Sequence, residues 1–225
     1  MGGEPRLRIA LTRAAGGNDQ LAARLTAAGL EVVECPLVRI EPLAGSRVSA
    51  GDYDWVVLTS RTAVELLLAR LDGPLPRVAV IGPGTAAALR ARGVEPDLVA
   101  ARSTQEGLVD AFPRPPGRVL FAGAEGARDV LVRELGADFL PLYRTVEAAP
   151  DRFPDADLVV LASPSAARVL ARVAPGSRCV VIGPVTGTEA RRLGLDVVAE
   201  AASHDLDGLT EAVRVAGSNT ASSRS

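Results

Sequence analysis

The chain has 225 residues, 48% of them hydrophobic, enough for one large or two small domains each with its own core. A formal net charge of −2 provides no global basic field, which argues against long-range attraction to nucleic acid. All 25 basic residues are arginine, so chemistry that needs lysine, such as Schiff bases or the phosphate-gripping lysine of a P-loop, is excluded.

The N-terminal MGGEPRLRIALTR lacks the basic, apolar and small-residue succession of a secretory signal. No apolar run approaches the roughly 20 residues that span a bilayer, so a cytoplasmic location is expected. The apolar run after Leu7 ends in Thr12 and Arg13. Val32 to Pro42 reads as extended and is interrupted by Pro36. Cys35, and later Cys179, stand singly in apolar surroundings and read as buried thiols, not as a disulfide or a metal pair. VVLTS, ending at Thr59 and Ser60, opens a helix at RTAVELLLARL, and IGPGT, with Gly84 and Thr85, opens another. Ser103 and Glu106 have capping-box spacing. AGAEGAR gathers Gly123, Gly126 and Arg128 but is neither a GxGxxG nor a P-loop, so dinucleotide binding is not indicated.

Phe139 to Glu147 is again extended, with Pro141 inside it. VVLAS opens a helix at PSAARVLARV, with Ser163 as cap, Pro164 at the first helical position and Ser165 beyond it. IGPVT carries Val185 and Thr186, and Thr186 with Glu189 again has capping-box spacing. His204, the single histidine, reads as the first turn of a helix capped by Ser203. The tail GSNTASSRS, residues 217–225, is expected to be disordered.

Two of these stretches are nearly the same: IGPGT begins at Ile81 and IGPVT at Ile182, 101 residues later. VVLTS matches VVLAS, TQEGLVDAF matches DLDGLTEAV, and the LTR region matches the RVLFAGAEGAR region, so the chain is an internal repeat of two related domains. Short continuous apolar runs alternate with helical spacing, which gives an α/β fold with parallel sheets and crossover helices. Pro36 and Pro141 fall at matching places. Proline removes a ladder donor, so these segments suit an exposed two-stranded connector or a pair of edge strands.

Ligands of open parallel sheets sit outside the carboxyl ends of the strands. That edge carries Thr12, Arg13, Thr59, Ser60, Gly84, Thr85, Gly123, Gly126, Ser163, Ser165, Val185 and Thr186. Backbone N–H groups at such helix starts can hold carboxylates or phosphates without lysine. Arg13, Arg61 and Arg128 could add charge-assisted bonds to an acidic ligand or be ordinary surface arginines. Capping and packing alone would also explain the paired turns. One asymmetry is chemical: CPLVRI aligns with LPLYRT, so Val38 corresponds to Tyr143, whose phenol is either available to a ligand or a packed ring with a wet tip.

The ordered set of LTR, CPLVRIEPL, DYDWVVLTS, IGPGTAAAL, PDLV with STQEGL, LPLYRTV, VVLASPSA and IGPVTGTEARRLGL resembles the uroporphyrinogen-III synthase family over roughly residues 6 to 215. The resemblance implies two similar parallel-sheet, three-layer domains joined by a two-stranded antiparallel linker. Domain 1 would be discontinuous, 1–34 with 150–216; domain 2, 44–138, would be inserted; the linker would be 35–43 with 139–149. It further implies a monomeric lyase of tetrapyrrole and haem biosynthesis. Such an enzyme cyclises hydroxymethylbilane with loss of water and inversion of the last pyrrole ring, uses no metal or organic cofactor, and makes possible transient contact with the upstream deaminase. By motif, Tyr143 matches the family tyrosine proposed to assist departure of the hydroxyl. Thr85, Ser60, Ser163, Ser165 and Thr186 match substrate-lining positions. With Arg13, Thr59, Gly84 and Val185 they make up the candidate binding set. The chain departs from the family pattern at Ala14, where proline is usual, and at SHDLDGL, where a threonine-led form is usual. A rival reading is a non-catalytic two-domain binding module or sensor for an acidic metabolite; a nucleotide-sugar transferase fits less well because the chain is short for one.

Overall fold

The apolar runs Trp55–Leu58 and Leu158–Leu161 are buried at every position, as parallel strands covered on both faces must be. The structure is a computed structural model that describes residues 6–222. The first part of the chain forms β1 (Arg8–Leu11), α1 (Asp19–Ala27), β2 (Glu31–Glu34) and β3 (Val38–Pro42). There follow β4 (Val48–Ser49), β5 (Trp55–Leu58), α2 (Arg61–Arg70), β6 (Leu71–Asp72), β7 (Arg77–Val80), α3 (Pro83–Arg90), β8 (Leu98–Val99) and α4 (Gln105–Ala111). Then come β9 (Val119–Ala124), α5 (Val130–Leu135) and β10 (Asp138–Glu147). The chain ends with β11 (Leu158–Leu161), α6 (Pro164–Val173), β12 (Arg178–Val181), α7 (Pro184–Arg192), β13 (Asp196–Glu200) and α8 (Leu206–Ser222).

Contacts divide the chain into one unit of Met1–Arg39 with Val146–Ser225 and a second of Ile40–Thr145. The first sheet has the order β13-β12-β11-β1-β2, parallel throughout. In the second, β10-β9-β5-β7-β8 runs parallel in the same sense, and β3 lies outside β10. The repeat makes β9 the counterpart of β1 and β5 that of β11, so the two orders are one topology. β4 and β6 form a separate parallel pair.

Each sheet is covered by helices on both faces. In the first unit Ala166, Val169 and Leu170 of α6 pack with Val159, Leu161 and Val181, while Leu21 and Leu25 of α1 and Leu209 and Val213 of α8 pack with Ile9, Leu11 and Val160. In the second, Ala63, Val64 and Leu67 of α2 and Leu89 of α3 cover Val56, Leu58 and Val80, and Leu108, Leu131 and Leu135 cover Val57 and Phe121. Both cysteines are buried free thiols, and burial pushes the Cys179 thiol up to about 12. No helix among the described residues is long and apolar enough to cross a membrane.

The chain passes between units through β3 and β10. The Leu43 N–H donates to the Leu142 carbonyl and the Ala148 N–H to the Leu37 carbonyl, partners that run in opposite directions. Val32 to Pro42 is not one extended segment: it breaks into β2 and β3 around Cys35 to Leu37. Pro141 lies in the part of β10 that pairs with β9 on one side, and the pairing with β3 begins just beyond it, at Leu142. The proline is accommodated by a register shift: Pro141 faces Gly123, but Tyr143 already faces Ala124, so Leu142 is the extra residue of a bulge. Successive residues of a regular strand point to opposite faces. Here Leu142 and Tyr143 enter the same core cluster.

Ser163 caps α6 as expected, accepting the Ala166 N–H. Other helix starts differ from expectation by one to three residues. Thr104, not Ser103, caps α4, and Glu106 turns to Arg128 instead of closing a capping box. Gly183, not Thr186, is the cap of α7, and Thr186 is buried within the first turn. Asp205, not Ser203, accepts the Gly208 N–H at the start of α8, so His204 precedes that helix. The segment from Gly217 to Ser222, expected to be disordered, continues α8. The helix is anchored on the sheet by Leu209, Ala212, Val213 and Ala216, and propagating an anchored helix is cheap compared with nucleating one. The remainder of the expected tail, 223–225, lies outside the described residues.

The Gly208 N–H, with help from Ser203, holds the Asp205 carboxyl below its ordinary value of 3.8. A carboxylate depressed on folding stabilises the fold above its unfolded value and loses that contribution as pH falls through the folded one. Asp205→Ala should therefore cost about 1 kcal/mol in urea unfolding at neutral pH, with the deficit shrinking below about pH 4. Asp205→Asn keeps the cap acceptor and should keep most of the neutral-pH stability.

Candidate functional site

Both sheets reverse winding direction next to their central strand, between β1 and β11 in one unit and between β9 and β5 in the other. The turns that leave the carboxyl ends of these strands diverge there, opening the crevice in which α/β proteins place ligands. Most of the candidate residues lie on these turns or on the adjacent helix starts.

In the second unit, β5 is followed by Thr59 and Ser60. Ser60 is the extended N-cap of α2 (φ −158°, ψ 157°), and its Oγ accepts the Ala63 N–H at 3.0 Å. The same Oγ lies 2.9 Å from the phenol oxygen of Tyr143, either atom being able to donate. Tyr143 does not hang free from a connector. The residue is only 6% exposed and lies in one core cluster with Leu58, Ala63 and Ala122, and its hydroxyl is held by Ser60. Burial raises the phenol above its ordinary range while the Ser60 hydrogen bond pulls it partly back, which keeps Tyr143 a protonated donor at neutral pH.

The next strand turn carries Gly82, Gly84 and Thr85. Gly82 caps α3 with no side-chain bond, and Pro83 at the first position has no N–H. The Ala86 N–H already reaches the Gly82 carbonyl, so the Gly84 and Thr85 N–H groups are the first-turn donors that no side chain caps. Gly84 is exposed, whereas the Thr85 side chain is buried at 6% and contributes its backbone only. Arg128 is not a spare rim cation: it bonds Glu106 through two contacts of 2.5 and 3.0 Å, and that pairing draws the Glu106 carboxyl down to about 2.

The first unit repeats this geometry with different side chains. Ser163 caps α6 in the conformation of Ser60 (φ −158°, ψ 152°). The Ser165 Oγ accepts from Arg168, whose guanidinium also reaches Glu147 and Glu189. Gly183 caps α7 without a side-chain bond, leaving the Val185 and Thr186 N–H groups in the position of those of Gly84 and Thr85. Val185 is 71% exposed at the tip, and Thr186 is buried at 3%. Thr12 is committed internally, donating to the Val160 carbonyl at 2.6 Å. Arg13 follows β1 and is half-buried; its backbone carbonyl is held by the Asn18 amide, which also bonds Glu34.

Arg168 and Asn18 escaped the sequence reading, and so did the packing of His204 against the Gly183 turn. Arg168 could have been found from its i,i+3 spacing to Ser165 on α6. Asn18 gave no signal, because it precedes a helix yet makes no side-chain cap. His204 could have been found from the repeat: it stands at the place of Ser103, and a Cβ on Gly183 would lie 2.7 Å from its Cδ2, just as one on Gly82 would collide with the Ser103 hydroxyl. Both cap glycines are in extended backbone, so they are required by the neighbouring side chain and not by strain.

The chain matches the family model described as uroporphyrinogen-III synthase HemD over residues 19–211. It is 34% identical over 173 residues to a uroporphyrinogen-III synthase of Synechococcus elongatus, an alignment covering 68% of this chain and 65% of that protein, slightly under two thirds of the relative's length. Its fold is similar to uroporphyrinogen-III synthetase of Helicobacter pylori (TM-score 0.64, 14% identity, 94% of this chain and 99% of that one). It is also similar to a variant of the Thermus thermophilus uroporphyrinogen III synthase (TM-score 0.58, 16% identity, 95% and 99%).

Gly183→Ala should displace the His204 ring, shifting the ring-proton resonances of the single histidine in NMR spectra. Gly84→Ala, with open space around its Cβ, should leave the thermal midpoint unchanged or raised and those resonances in place.

Proposed function

The chain belongs to the uroporphyrinogen-III synthase family, and from that premise we propose that it cyclises hydroxymethylbilane to uroporphyrinogen III with loss of water and inversion of ring D. The observation that carries this reading within the site is the Tyr143 phenol fixed on Ser60 at the switch point of the second sheet. The substrate is a linear polyacid with one reactive hydroxymethyl end. Its acetate and propionate groups call for several anion sites, and the paired first-turn N–H groups of Gly84 and Thr85, and of Val185 and Thr186, provide them without lysine. Thr59, Ser163, Ser165 and Arg13 complete the binding set, with Arg168 acting through Ser165 and Ser60 through Tyr143.

In the reaction the C–O bond of the hydroxymethyl group breaks with its electron pair going to oxygen. That oxygen takes the Tyr143 proton and leaves as water, and the carbocation left on the methylene is stabilised by its pyrrole nitrogen. The electron-rich pyrrole at the other end is the nucleophile: its substituted α-carbon bonds the cationic methylene to give a spiro intermediate. Its bond to the neighbouring methylene then breaks, that methylene recloses on the free α-carbon, and the proton lost there returns to the phenolate. Because burial holds the phenol protonated, its contribution lies mainly in a hydrogen bond that strengthens as the hydroxyl departs. The choice of isomer then rests on holding one folded conformation of the chain, a positioning effect that can supply several kcal/mol. We place the enzyme in the cytoplasm as a monomer that uses no cofactor.

Supplying hydroxymethylbilane to the purified protein and separating the oxidised isomers tests this reading. Isomer III should dominate; isomer I alone, at the rate seen in buffer, would identify a binding module instead. Tyr143→Phe should slow turnover by about 100-fold, and full rate with an unchanged isomer ratio would remove the acid role.

A further inference from the structure

The Ser60 hydroxyl has one hydrogen to give and two lone pairs to offer. One lone pair is taken by the Ala63 N–H, so Ser60 is occupied as the cap of α2 before any ligand arrives. Its second partner among the described residues is the Tyr143 phenol oxygen at 2.9 Å. An oxygen that accepts a hydrogen bond becomes a better donor, and the start of a helix favours negative charge on a group held beside it. We propose that Ser60 is a positioning residue which gives its hydrogen to the Tyr143 phenol oxygen, fixing the phenol so that its own hydrogen is free for the departing hydroxyl. This deepens the reading above and rests on it for the identity of the proton's recipient, but the Ser60 to Tyr143 donation is measurable without substrate.

The arrangement requires the bulge in β10. Leu142 is the extra residue, and it lets Tyr143 share the α2 face of the sheet with Ser60. During departure of the hydroxyl the phenol proton passes to the leaving oxygen, the Ser60 hydrogen stays on Ser60, and the developing phenolate keeps its one internal donor. Ser60 thus acts through Tyr143. Substrate carboxylates are left to the uncapped turns, since the Ser60 hydroxyl has already given its one hydrogen.

The chain has two tyrosines, and Tyr53 makes its hydroxyl contact with Asp138, away from these residues. In a Tyr53→Phe background Tyr143 is the sole tyrosine. Replacing it biosynthetically with difluorotyrosine brings its titration into a range where the chain stays folded. Ser60→Gly preserves the cap, because glycine is nearly as good an N-cap as serine, and removes the donor; Ser60→Ala is a second donor-free variant. Each should raise the fluorotyrosine midpoint by about one pH unit, and Ser60→Thr should restore it to within a few tenths. An unchanged midpoint in a folded donor-free variant, or failure of threonine to restore it, overturns the proposal.

Kinetics separate positioning from binding. Ser60→Gly should lower kcat by about tenfold with KM within about twofold, and a rise in KM alone would make Ser60 a substrate ligand after all. If the unaltered chain forms no isomer III, the functional reading fails while the titration still decides the Ser60 to Tyr143 bond.

Discussion

A helix that begins where a parallel strand ends has first-turn N–H groups with no acceptor inside the helix, and both units are organised around how that demand is met. In each, the helix after the central strand is satisfied from within, by Ser60 over Ala63 or Ser163 over Ala166. The following helix begins at a glycine and proline that cannot cap it, so its demand is met from outside. The internally capped turn is closed by its own serine, and the uncapped one leaves its first-turn N–H groups without a side-chain cap. A serine and a glycine at equivalent strand ends therefore do different work although both begin helices.

The bulge at Pro141 couples this scheme to chemistry. A regular strand would send Tyr143 to the face opposite Leu142. The extra residue instead brings both to the α2 side, where the phenol meets the cap serine. Burying that phenol keeps it protonated, and one hydrogen bond partly offsets the penalty on its anion. The result is a donor that is fixed in direction and reluctant to ionise, suited to helping an oxygen leave while remaining a phenol for most of the cycle.

Much of this was legible in the sequence because the repeat doubled each signal. The continuous apolar runs before Ser60 and Ser163 identified parallel strands, and the matched IGPGT and IGPVT turns identified equivalent helix starts. What the sequence hid was decided by contacts between distant segments. A proline in an extended stretch argues for an edge, and only the register of β10 against β9 shows the bulge that follows it. Spacing favoured Thr186 and Ser103 as caps, but Gly183 and Thr104 fill those positions because the end of the preceding segment sets where the helix starts. Thr85 and Thr186 looked like ligands by residue type, yet their side chains are buried. Residue identity revealed the turns but not which part of each residue faces outward.

The two units also show where a duplicated geometry was differentiated. Val38 is the repeat partner of Tyr143 and packs in the cluster that contains Ala166, much as Tyr143 packs with Ala63. Ser163 keeps the cap but has no phenol beside it. The duplicated turns thus retain their first-turn N–H groups in both copies, while the phenol is present in one. Val38 and Tyr143 fill the same packing place in the two copies with different chemistry, and only Tyr143 sets a hydroxyl beside a cap serine.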